Sequence, residues 1–187
     1  MAAIMSNREE DIFGDRLRDF LRQHFPELVI ETRDYLINHI WVDPQGNITP
    51  AVEDYLNPNK RGFRYQQDLT IRDEKAPFIA IELENGGFNT NHILTYAAKA
   101  EKIKNVYPYI RYGYVVQDEK DRKIPTKFFE NGDVFDFVLV IPNDDEFPRI
   151  LSIIKEQLES VKIMMEVLKD FNTGNPYSSF SKICKVK

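Results

Sequence analysis

Apolar positions recur along this chain in two periods. Between residues 8 and 25, Ile12, Phe13, Leu17, Phe20, Leu21 and Phe25 fall at helical spacing, with Arg16, Arg18 and Arg22 on other faces. Ser6 or Asn7 is placed to cap that helix, and Pro26 ends it. Patches rich in β-branched residues between 28 and 42 predict a strand, and Asp43-Pro44-Gln45-Gly46-Asn47 predicts a turn. A short helix is expected around Pro50 to Leu56, then a loop from Asn57 to Gly62 leading into the strand Arg64–Ile71. The charged connection 72–77 precedes an apolar run, Phe78-Ile79-Ala80-Ile81-Glu82-Leu83-Glu84, which closes on Asn85-Gly86-Gly87.

Downstream, Ile93, Ala97, Ala100 and Ile103 form one stripe and predict a helix over 91–105, closed by Tyr107-Pro108. Strands are expected at 109–116 and 135–141, with a polar loop from Gln117 to Gly132 between them. The clearest amphipathic helix runs from Glu146 to Phe171, with Phe147, Ile150, Leu151, Ile154, Leu158, Val161, Met165 and Leu168 at buried spacing. The order helix, strands, helix, strand, strand, helix predicts an α/β fold with a mixed sheet flanked by helices. All 187 residues read as a single domain, with loose ends over 1–7 and 172–187.

Composition narrows the function classes. Three His and the single Cys184 exclude a finger-type zinc site, and a lone cysteine near the end fits a reducing, cytoplasmic setting. No apolar stretch has the length to span a bilayer, and no leader pattern opens the chain. The net charge of −5 argues mildly against an anionic partner, although acids that hold a metal are counted in it.

Those acids are the chemical lead. On a strand, Glu82 and Glu84 point to one face and Ile79, Ile81 and Leu83 to the other. With Asp68 on the preceding strand, three carboxylates converge on one sheet edge and repel each other unless a cation lies between them. Hard oxygen donors suit Mg²⁺ or Mn²⁺, and the backbone carbonyl of Leu83 is a fourth candidate ligand. Phosphodiester hydrolysis is the reaction such a site serves, because it needs an activated water and neutralisation of charge on the phosphate. A strand ending in two Glu is also what a solvated edge looks like.

Asp68, Glu82 and the helix and strand that follow resemble the PD-(D/E)XK nuclease superfamily, the restriction-endonuclease-like fold. The resemblance covers roughly residues 8 to 117 in element order and three or four positions in motif. It departs at Gln67, where proline is common, and at Glu84, which stands where the usual lysine would be. The resemblance implies a Mg²⁺-dependent DNA endonuclease, of the type II restriction kind, with Asp68 and Glu82 on the metal. Glu84 would accept the proton of the attacking water or bind a second cation, and Lys99 is the lysine expected to reach back from the next helix. Glu9 or Glu10 on the first helix is a further candidate acid. Lys60, Arg61 and Arg64 are the residues expected to face DNA, and double-strand cutting implies a homodimer, with the long last helix as a candidate interface.

The opposing expectation is a nuclease-like scaffold without catalysis, or an acidic protein-interaction domain. His92 reads as a capping or surface residue, and the lysines of the 120–127 loop as solvated. The tyrosines at 107, 109, 112 and 114 read as sheet and core aromatics, and the two methionines of the last helix as core.

Overall fold

A computed structural model describes residues 2–49, 63–120 and 123–172. Helix α1 spans Ala2–His24, beginning well before the expected start after Ser6. Ala2, Ala3, Ile4 and Met5 include no glycine or proline to stop a helix propagating backwards. Strand β1 (Val29–Ile37) follows, then a small hairpin of β2 (Trp41–Val42) and β3 (Ile48–Thr49) around the Asp43–Asn47 turn. Asp43 builds that turn by accepting from the backbone N–H of Gln45 and Asn47. The short helix expected near Pro50 lies outside the described residues, as does the tail from 173 onward.

Next come β4 (Arg64–Arg72), β5 (Pro77–Asn85), helix α2 (Thr90–Val106) and β6 (Arg111–Gln117). Asn89 caps α2 by accepting from the N–H of Asn91. The stretch expected as loop contains a short helix, α3 (Thr126–Asn131), which buries Phe128. Its interspersed lysines had hidden the one apolar anchor. Strand β7 (Phe137–Ile141), a 3-10 turn at Asp144–Glu146 and helix α4 (Phe147–Asn172) complete the order.

Five strands form one mixed sheet in the order β1-β4-β5-β6-β7, antiparallel from β1 to β5 and parallel from β5 to β7. Helices cover both faces. On one, Phe13, Leu17 and Leu21 of α1 and Ile150 and Ile154 of α4 pack on Ile79, Ile81, Leu83 and Leu139. On the other, Ile93, Ala100 and Ile103 of α2 and Phe128 of α3 pack on Ala80, Tyr112, Tyr114 and Val116. Burial of these apolar faces is what holds the three layers together. Ile12 does not join the α1 stripe and is 45% exposed. The methionines of α4 are half-buried rather than core. Among the described residues, no helix is long and apolar enough to cross a membrane.

The sheet contains an irregularity with consequences for the acids. Pairing of β1 with β4 runs through Thr32–Leu69 and resumes at Asp34–Gln67, leaving out Arg33 and Asp68. Arg33 has a φ of +57°. Unbroken alternation would keep Ile30 and Leu36 on one face, and likewise Leu69 and Tyr65. Instead Ile30 and Leu69 pack with α1 and α4, whereas Leu36 and Tyr65 pack with α2. Both strands turn their pleat over at Arg33 and Asp68.

Candidate active site

Glu82 and Glu84 lie on the α2 side of the sheet, as alternation predicts, but in its centre. Strand β5 is the third of five, so the expectation of a site on a sheet edge is not met. Neither glutamate is solvated: Glu82 is 0% exposed and Glu84 5%. A buried carboxylate requires partners, and each has its own set.

Glu82 receives Lys99 from α2, with Nζ 2.7 Å from Oε1 and 2.9 Å from Oε2. The Tyr112 hydroxyl donates to Glu82 and also lies against the side-chain oxygen of Gln67. Burial pushes the Glu82 carboxyl up to about 7, the nearby Asp68 charge adds to this, and Lys99 and the Tyr112 hydroxyl oppose it. Loss of water outweighs even a direct lysine contact.

Glu84 takes His92 Nδ1 at 2.6 and 2.8 Å and the Tyr114 hydroxyl at 3.0 Å. His92 does more than cap or decorate a helix start, because it pairs with a buried carboxylate. Tyr96, one turn further along α2, stands between the groups. It lies 5.8 Å from the His92 ring and 5.4 Å from that of Tyr114, and Lys99 Nζ is 5.6 Å from its centroid. Burial, then the charges of Asp68, Glu82, Glu84 and Glu10, raise its phenol far above the usual range.

Asp68 sits where β4 and β5 part. Their paired register runs from Arg72–Pro77, across a bulge, to Leu69–Ile81 and does not extend to Asp68. The next inward-pointing amide of β5, that of Leu83, donates to Asp68 Oδ2 at 2.8 Å. A side chain thus replaces a ladder carbonyl, and the strands splay around it.

Glu10, of the two α1 acids named as candidates, joins this group. It accepts from the backbone of Asn85, and burial together with the charges of Glu84 and Asp68 holds it up at about 7. Glu9 reaches only the Asn85 side chain, at 3.5 Å. Of the residues expected to face DNA, Lys60 and Arg61 lie outside the described residues. Arg64 opens β4 and is half-buried.

By donor chemistry the group offers hard oxygen donors, since several carboxylates share one neighbourhood. By spacing, no three acidic, imidazole or thiol groups among the described residues are gathered as metal ligands. Both Glu82 oxygens are already taken by Lys99. A cleft of about 600 Å³ opens past the ends of β5, β6 and β7, lined by Asn85, Gly86, Gln117, Asp118 and Asp144 among others, and neither Asp68 nor Glu82, Glu84 or Glu10 lines it. Such a crevice, at the carboxyl ends of parallel strands, is the usual location of ligands in open α/β sheets.

Sequence reasoning missed Tyr96, Tyr112, Tyr114, Gln67 and the His92 contact. One signal was present: Tyr112 and Tyr114 repeat, two residues apart on β6, the spacing of the two glutamates on neighbouring β5. In the parallel register Glu82 stands beside Tyr114. Compared with protein-family models and with curated proteins, the sequence matches none.

Proposed function

We propose that the chain is a Mg²⁺- or Mn²⁺-dependent DNA endonuclease with a restriction-endonuclease-like core, of the type II restriction kind. The observation that carries this reading is Lys99, which comes from the helix after β5 to touch Glu82 beside the splayed strand end holding Asp68. A lysine in contact with the second acid is what the E-x-K arrangement supplies from the strand itself, and Glu84 occupies that strand position.

In this reading Asp68, Glu82 and the Leu83 carbonyl would hold the cation, which supplies charge neutralisation at the phosphate and acidifies a bound water. Lys99 adds a positive charge where negative charge grows on the phosphoryl oxygens. Glu84 is the proton acceptor for the attacking water, and His92 on its other side holds the carboxylate in place. Lys60, Arg61 and Arg64 would meet the DNA backbone, Arg64 from the start of β4, and two copies would cut two strands.

Supercoiled plasmid incubated with Mg²⁺ and wild type, Asp68→Ala, Glu82→Ala or Lys99→Ala tests the reading. Wild type should nick or linearise the plasmid, and each variant should lose most of that activity, by about 100-fold or more. Equal cleavage by all four proteins would overturn the assignment.

One observation favours a second reading, a non-catalytic module of the same fold. Glu82 is wholly buried, with both oxygens engaged, as in a structural ion pair. For that module, Mg²⁺ and Mn²⁺ would leave the melting temperature unchanged and the plasmid intact.

A further inference from the structure

Arg33 is the feature that the chemistry above leaves unexplained. It is non-glycine yet has a φ of +57° in the interior of a strand. Such a conformation costs an L-residue free energy and persists only where its surroundings enforce it. Here the surroundings are α1, at the side chain, and β4, at the carbonyl. Asp11 lies 2.9 Å and Asp15 3.4 Å from the guanidinium, and Gln66 of β4 donates to the Arg33 carbonyl at 3.2 Å.

We infer that Arg33 is a positioning residue: its left-handed conformation turns over the pleat opposite Asp68 and thereby puts the Asp68 carboxylate on the Leu83 amide between β4 and β5. The missing Arg33–Asp68 pair, the exchange of faces on both strands and the end of the β4–β5 ladder at Leu69–Ile81 all fall within two residues of this point. With an ordinary φ at 33, alternation would send Asp68 to a face of the sheet and not into the gap between strands. Tyr65 and Gln67 would change sides too, which removes Gln67 from the Tyr112 hydroxyl and so from the surroundings of Glu82. Of the α1 acids, Glu10 bears on the site by its own charge, whereas Asp11 and Asp15 pair with the Arg33 guanidinium.

The inference stands on backbone geometry. Only its bearing on activity rests on the nuclease reading, so the test has one arm for each. The first arm is amide hydrogen exchange at Leu83, with Leu69 and Ile81 as internal references, in wild type, Arg33→Gly and Arg33→Val. Glycine accepts a positive φ and valine resists it. Leu83 should stay as protected in Arg33→Gly as in wild type, and exchange roughly tenfold faster or more in Arg33→Val while the references stay slow. Wild-type protection in Arg33→Val, or rapid Leu83 exchange in Arg33→Gly, overturns the inference. Should Arg33→Val not fold, Arg33→Ala carries the same comparison. The second arm is the rise in melting temperature with Mg²⁺, expected in wild type and Arg33→Gly and lost in Arg33→Val. Slow Leu83 exchange in a wild type that does not respond to Mg²⁺ leaves Arg33 as the positioner and removes the metal reading.

Discussion

Lys99 and Glu82 set the stakes at the scale of single residues. Removing one member of a buried ion pair leaves the other without compensation, and the cost is commonly about 3 kcal/mol or more. Lys99→Met should therefore destabilise the fold by about that amount at pH 8, and adding Glu82→Gln to it should recover a large part, as urea unfolding of the two variants will show. Glu82 and Glu10 also impose a pH dependence. Both are held near 7 in the folded chain against 4.5 ordinarily. Between those values the folded state keeps protons that the unfolded state has released, so stability falls as pH rises from about 4.5 to about 7 and then levels off. Wholly buried Glu82 contributes about 3–4 kcal/mol to the total fall, at about 1.4 kcal/mol per pH unit. Glu10 contributes less, because water screens its exposed half. Urea midpoints measured across that range in EDTA check the sign, and Glu82→Gln should flatten the curve; a midpoint that rises toward pH 7 would contradict it.

At the scale of elements, most of what could be read from the chain was read from period. The helices over Thr90–Val106 and Phe147–Asn172 have apolar stripes that mark them within a residue or so, and β5 has an uninterrupted apolar run up to Glu82. Helix α3 offers one buried aromatic in six residues, too little to establish a period. The overturned pleat was illegible for a physical reason: it depends on a positive φ at an arginine, and side-chain identity signals that conformation only for glycine and a few others. The partners of the two glutamates were illegible because they come from elements far off in sequence. Packing between neighbouring strands supplies another prediction. Gly113 of β6 has no side chain because the Phe137 ring occupies that space, with ring atoms as near as 2.0 Å to where a Cβ would lie. Gly113→Ala should cost about 1–3 kcal/mol by overpacking, measured by urea unfolding, and it should leave the contacts of Glu84 with His92 in place. A neutral Gly113→Ala would mean that the ring moves freely, contrary to a close-packed β6–β7 seam.

For the molecule as a whole, the prediction is a ligand-linked one. If the acids share a cation, Mg²⁺ at about 100 times its dissociation constant should add about 2.7 kcal/mol, or roughly 5 °C or more in Tm for a chain of this size. Asp68→Ala should abolish that shift; an equal shift in this variant would move the ion elsewhere. The layered α/β arrangement was legible in the order of elements, and so was the pairing of Asp68 with the strand of Glu82 and Glu84. The site's central and buried location was not, because strand order is a long-range property that the local pattern does not encode. That strand order also gives the molecule two unlike poles. Because β4 runs against β5, its beginning at Arg64 lies at the same pole as Asn85, Gln117 and Ile141. The other pole carries the tight Asp73–Ala76 turn and the short link from Val106 to Arg111. A tether, reporter or immobilising tag grafted between Glu74 and Lys75 would thus hang from the pole opposite the cleft and leave that cleft open.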